Sequence, residues 1–157
     1  MSFNLVIVGD KGVGKTSLIK RHTNGQFEEQ YTHTENTTCY TLSFTLGDKS
    51  ATFNIYEGGH PDKVDAAIIM FDVCNQDSFD HVIGYHTWLI ETFNDHTLPI
   101  VLCGNKVDLY GKRISKYAIS KFINETYKHL NFTFFYTSSK SNYNYEKPFM
   151  TFLNKLM

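Results

Sequence analysis

The chain has 157 residues, 41% hydrophobic and 15% aromatic, enough to bury a full core in one domain and too few for a second. A formal net charge of −1 supplies no general attraction to nucleic acid or to an anionic membrane surface, so neither is expected as a partner. No apolar run approaches the roughly 20 residues of a membrane span, and the start Met1-Ser2-Phe3-Asn4 lacks the basic region of a signal peptide, so a soluble intracellular protein is expected.

Cys39, Cys74 and Cys103 are odd in number, widely spaced and set among apolar residues, which suits reduced core thiols better than disulfides. The seven histidines share no metal-ligand spacing.

Apolar runs alternate with helical patterns along the chain, the signature of an α/β fold with a mostly parallel sheet. A strand over residues 3–8 leads into residues 9–16, GDKGVGKT, which open a helix over 15–24. A glycine-rich loop between a strand and a helix is a cradle for polyphosphate, because successive backbone N–H groups converge there. Gly12 and Gly14 let the backbone approach closely, Lys15 brings a point charge to the β- and γ-phosphates, and the Thr16 hydroxyl suits Mg²⁺. Strands follow near 39–46 and 51–56, and Gly47-Asp48 between them predicts an antiparallel hairpin.

Further strands are expected at 66–73, 99–104 and 132–137, with helices near 78–94, 115–129 and 145–156. Six strands result, one of them antiparallel. Trp88, the only tryptophan, falls on the helix over 78–94 and reads as a packing residue away from the phosphate loop. No repeat or linker interrupts the pattern, so one domain spans residues 1–157.

The connection after the 51–56 strand is short. About eight residues join two strands that should be parallel, whereas such crossovers usually take a dozen or more and a helix. Eight residues reach about 27 Å extended but only about 12 Å as helix, and the return past a six-residue strand needs about 20 Å. An extended or irregular return is therefore predicted, leaving part of one sheet face without a covering helix and its apolar surface open to a partner.

A phosphate loop alone does not separate ATPases, kinases and GTPases. Asn105-Lys106-Val107-Asp108 follows the 99–104 strand directly, where α/β sheets carry ligand-binding loops. A carboxylate such as Asp108 accepts two hydrogen bonds from N1–H and the 2-amino group of guanine, and adenine has no matching donors. Ser138-Ser139-Lys140 follows the next strand in the same way, so its backbone N–H groups face a base carbonyl.

These motifs resemble those of the Ras-like small GTPases, and within them the Ran branch of nuclear-transport GTPases. The similarity is carried by Arg21-His22 with Gly25-Gln26-Phe27-Glu28, and by residues 67–73 (AIIMFDV), 100–108 (IVLCGNKVD) and 138–149 (SSKSNYNYEKPF). The resemblance implies a P-loop NTPase G domain with a six-stranded, mostly parallel sheet and helices on both faces, holding GTP or GDP with Mg²⁺. By position, Lys11, Gly12, Val13, Gly14, Lys15, Thr16, Ser17 and Thr34 would bind phosphate. Asn105, Lys106, Asp108, Ser138, Ser139 and Lys140 would bind guanine, and Thr16, Thr34 and, through water, Glu57 would hold the metal. Nuclear transport receptors and exchange or GTPase-activating factors are the implied partners, and cytoplasm and nucleus the implied compartments. The frequent Asn, Lys, Ile, Phe and Tyr suit an AT-rich genome, such as that of a protist or a large virus infecting one.

Four departures from the family cluster around the γ-phosphate. Lys11 replaces the usual glycine, and its side chain would crowd the attacking water and an arginine finger, reach the phosphates itself, or point to solvent. Glu57-Gly58-Gly59-His60 resembles the family's Asp-Thr-Ala-Gly-Gln with one residue missing, which puts His60 where the water-positioning glutamine belongs, as catalytic residue or spectator. The switch segment and helix that should follow are reduced or missing. Finally, the sequence ends at Lys155-Leu156-Met157 with neither Ran's acidic extension nor a cysteine for prenylation, so no membrane anchor is expected.

Overall fold

The first apolar run forms a strand, β1 (Ser2–Val8), whose alternating side chains serve two cores, Leu5 and Ile7 on one face and Val6 on the other. The computed structural model describes residues 1–22, 28–31 (backbone only), 37–109, 111–126 and 132–157. After β1 come α1 (Lys15–Lys20), β2 (Glu28–Tyr31), β3 (Thr38–Leu46), β4 (Lys49–Glu57) and β5 (Ala66–Asp72). The order continues with α2 (Gln76–Asp80), α3 (Val82–Phe93), β6 (Ile100–Asn105), α4 (Lys116–Thr126), β7 (Phe132–Tyr136) and α5 (Lys147–Leu156).

All six expected strands form, and β2 adds a short edge strand, giving one sheet in the order β2-β3-β4-β1-β5-β6-β7. β3 runs antiparallel to both its neighbours, and every other pairing is parallel. Gly47, at a φ of 63°, turns the chain between Leu46 and Lys49, as the hairpin reading requires.

Helices cover both faces. Leu18, Ile19, Phe149, Phe152 and Leu153 from α1 and α5 pack on Leu5, Ile7, Phe53 and Ile55, while Phe79, Val82, Leu89 and Ile119 from α2, α3 and α4 pack on Val6, Ile69, Phe71 and Leu102. β5 lies between the two cores and is buried from Ala66 to Phe71, so it reads as a continuous apolar run rather than an alternating one.

Two expected helices begin elsewhere. The 78–94 helix starts earlier, because the Asn75 side chain caps it by accepting from Ser78 N–H at 3.3 Å. It also divides at His81, which ends α2 and opens α3. The 145–156 helix starts at Lys147, with Pro148 in its first turn where no backbone donor is needed.

Between Glu57 and Ala66 the eight residues 58–65 contain no helix, and the chain crosses past β1 in irregular form. The Asp65 N–H donates to Asn4 O at 2.8 Å and the Asn4 N–H to Asp65 Oδ2 at 2.8 Å, so the crossover is pinned at the start of β1. Gly59 lies so close to the buried Thr37 side chain that a Cβ would overlap it.

The open sheet face differs from the expected apolar one. Over β3, β4 and the start of β1 it carries a polar ladder: Thr41 bonds Asn54, Ser43 bonds Thr52, and Asn54 bonds Ser2 and Asn4. Alternation explains it, since the opposite side chains of these strands already fill the core under α5. Beside the crossover, exposed apolar side chains line a cleft of about 760 Å³ between Gly9, Asp10 and Lys15, residues 58–59 and α3. There Ile83 is 48% and Trp88 38% exposed, so Trp88 is neither the buried packing residue expected nor remote from the phosphate loop, whose Gly9, Asp10 and Lys15 line the same cleft.

Candidate functional site

The carboxyl ends of β1, β4 and β6 meet at one edge of the sheet, and a cleft of about 1040 Å³ opens there. Residues 9–14 wrap its floor. Gly14 takes a φ of 109° as the residue before α1, and a Cβ there would collide with the Asn105 side chain, so only glycine lets the loop close over β6. Lys15 Nζ folds back to donate to Gly9 O at 2.7 Å and Asp10 O at 2.9 Å. Burial pulls the Lys15 pKa down, and the charges of Glu57 and Asp10 partly restore it.

Lys11, Gly12, Thr16 and Ser17 line the same cleft, whereas Val13 turns its side chain into the core. Thr16 Oγ1 donates to Glu57 Oε1 at 2.6 Å, so a hydroxyl and a carboxylate from α1 and β4 meet beside the loop. Two hard oxygen donors at that spacing fit Mg²⁺, which typically takes one or two protein ligands and completes its shell with water and phosphate. Among the described residues no group of three or more His, Cys, Asp or Glu converges, so such an ion would depend on the nucleotide's own oxygens. Thr16 would hold it directly and Glu57 through water; the ion would neutralise charge on the β- and γ-phosphates.

Behind the loop, Asn105 is 2% exposed and bonded through both its amide nitrogen and oxygen. Its Nδ2 donates to Val13 O at 2.9 Å, and its Oδ1 accepts from Thr137 Oγ1 at 3.1 Å and Ser139 N at 3.4 Å. One amide thus ties the phosphate loop to the loop after β7. Ser138 Oγ donates to Asp108 Oδ1 at 2.6 Å and accepts from Ser141 N at 3.0 Å, which fixes the carboxylate's direction. Lys106, at a φ of 68°, lines the cleft and pairs with Asp72, Nζ to Oδ2 3.3 Å. Ser139 is buried with Oγ unpartnered, and Lys140 is exposed.

The family model for the Ras family matches residues 4–157. The chain belongs to the Ras family. This Ras-family domain is accordingly a small GTP-binding protein. Residues of the 9–17 loop and α1 line the cleft together with Lys106, while Asn105, Asp108 and residues 138–140 lie beyond its lining and are joined to the loop through the Asn105–Val13 bond.

Asp10, Tyr85 and His81 form a cluster that the sequence reading did not single out. His81 Nδ1 donates to Asp10 Oδ2 at 2.6 Å and the Tyr85 hydroxyl to Asp10 Oδ1 at 2.8 Å, so α3 grips the phosphate loop. Burial works to raise the Asp10 carboxyl pKa, but the bonds from His81 and Tyr85 and the charges of His81 and Lys15 outweigh it and bring it below the usual range. The bond to Asp10, together with the charges of Asp10, Asp77 and Asp80, raises His81. Burial and Asp10 push the Tyr85 hydroxyl up to about 12. No local pattern marks these residues, since Asp10 and Tyr85 are 75 positions apart.

In this Ras-family chain His60 sits away from the cleft. Its Nδ1 bonds Pro61 O at 2.9 Å, and its ring meets Trp88 and Phe93 edge-on, with centroids 5.5 Å and 5.3 Å apart. Residues 58–65 run without a helix beside α3, which brings His60 within reach of Trp88 and Phe93. Thr34 lies outside the described residues.

Proposed function

We propose that this protein is a Ran-like GTP/GDP-binding protein that hydrolyses GTP slowly and works within nucleocytoplasmic transport, in cytoplasm and nucleus. The observation that carries the reading is the contrast between the base end and the phosphate end of the site. Asp108 and Asn105 are braced by Ser138, Thr137 and Val13, as tight base recognition demands. At the phosphate end, Lys11 stands on the rim and His60, the candidate to orient an attacking water, docks instead on α3.

Protein purified without added nucleotide and then denatured is expected to release GDP or GTP. Single-turnover GTP hydrolysis is expected at or below roughly 10⁻⁴ s⁻¹, the scale of unaided Ras-type sites. An empty site or bound ATP overturns the nucleotide reading, and fast unaided turnover overturns the slow-hydrolysis reading.

The irregular 58–65 segment favours a second reading, an interaction module that competes for Ran's partners. A nucleotide switch needs an element that the γ-phosphate holds and its loss releases, and the segment 58–65 beside the phosphate loop carries no helix to move in that way. Binding of transport receptors or exchange factors by the GTP- and GDP-loaded forms separates the two readings. A switch binds them unequally; a module binds them alike.

A further inference from the structure

Arg21 closes α1 at the end away from the phosphate loop, and its guanidinium reaches across to the base loop. Nε donates to the Ser139 carbonyl and Nη2 donates to the Lys140 carbonyl at 2.8 Å. The next residue, His22, donates from Nε2 to Tyr145 O at 2.9 Å and stacks its ring on Tyr145 with centroids 4.7 Å apart. All three acceptors are backbone carbonyls of one segment. The end of α1 therefore holds the loop after β7 by its main chain, whatever side chains that loop carries.

That loop in turn supplies Ser138, whose hydroxyl sets the direction of the Asp108 carboxylate. We propose that Arg21 is a positioning residue for base discrimination: through the carbonyls of Ser139 and Lys140 it keeps the Ser138–Asp108 bond formed, and so keeps Asp108 aimed at the guanine edge. The proposal rests on the guanine-nucleotide reading of the cleft. Two features separate this role from general support. Arg21 is exposed, so its removal opens no cavity in the core. Its planar fork also matches two adjacent carbonyls, a geometry that a lysine's single ammonium does not reproduce. Paired hydrogen bonds to a base edge depend steeply on carboxylate placement, since they weaken once the donor–acceptor distance and angle leave their narrow range.

The test compares GDP with IDP, which lacks the 2-amino group, as competitors of a fluorescent GDP. R21A is expected to weaken GDP about tenfold and IDP much less, compressing the GDP-over-IDP preference by a similar factor. R21K is expected to recover part of that preference. Amide exchange at Ser141, whose N–H donates to Ser138 Oγ, should quicken in R21A. Equal weakening of GDP and IDP, or no weakening, with Ser141 exchange unchanged, overturns the proposal. A parent protein that binds ADP or IDP as well as GDP overturns the guanine reading, and the proposal with it.

Discussion

Thr16 Oγ1 donates a 2.6 Å hydrogen bond to Glu57 Oε1, joining the first turn of α1 to the last residue of β4. An ion at this site would replace that bond, with Thr16 holding it directly and Glu57 through water. Removing the carboxylate should therefore raise the Mg²⁺ concentration needed to slow GDP release, by about ten- to a hundredfold for E57A, the usual cost of an outer-shell carboxylate. E57D, one methylene shorter, should lie between E57A and the parent. Fluorescent-GDP release across a Mg²⁺ series checks this, and an unchanged Mg²⁺ dependence in E57A would assign Glu57 to Thr16 alone.

The Asp10–His81 pair predicts a pH window. The His81 pKa is raised, so its contribution to stability is complete below about pH 6.5 and fades as pH rises through the raised value. The Asp10 pKa is lowered, so its contribution is present above the ordinary carboxylate value of 3.8 and fades as pH falls through the lowered value. The gap in Tm between parent and H81N should be widest between those limits and shrink toward alkaline pH. Because the His81 side chain is 60% exposed, the gap should also shrink in high salt. A gap independent of pH would mean that the imidazole acts without its charge.

His60 docks against Trp88 and Phe93, which predicts a fluorescence change without a catalytic one. H60A should shift the emission of Trp88 and leave single-turnover GTP hydrolysis close to the parent rate. A loss on the order of 10²-fold or more, the contribution of a working general base, would return the ring to the γ-phosphate.

Asn105 bonds Val13, Thr137 and Ser139 from a fully buried position. N105A leaves three polar groups without their partner and should cost at least about 2 kcal/mol. Urea unfolding measures it, and a loss below about 0.5 kcal/mol would mean that water replaces the amide.

The parallel sheet was legible because β5 and β6 are buried on both faces and read as unbroken apolar runs, and the hairpin because Gly47-Asp48 leaves room for nothing else. The irregular crossover followed from chain reach alone. The open face was expected to be apolar and is polar, because only register shows that Ser43, Thr45, Thr52 and Asn54 share it. The Trp88 environment was not legible, since burial depends on which neighbour covers a ring rather than on the ring itself.

By itself the sequence determined the family and the strand ends from which the phosphate loop and the Asn105–Asp108 loop leave. Local spacing dictates how a backbone cradles phosphate and where a carboxylate follows a strand. Tertiary structure alone decided how those ends are joined: Asn105 to Val13, Arg21 to the base loop, and Tyr85 with His81 to Asp10. Such bonds link residues 71 to 119 positions apart, and a distance that long leaves no periodic trace for a sequence to carry.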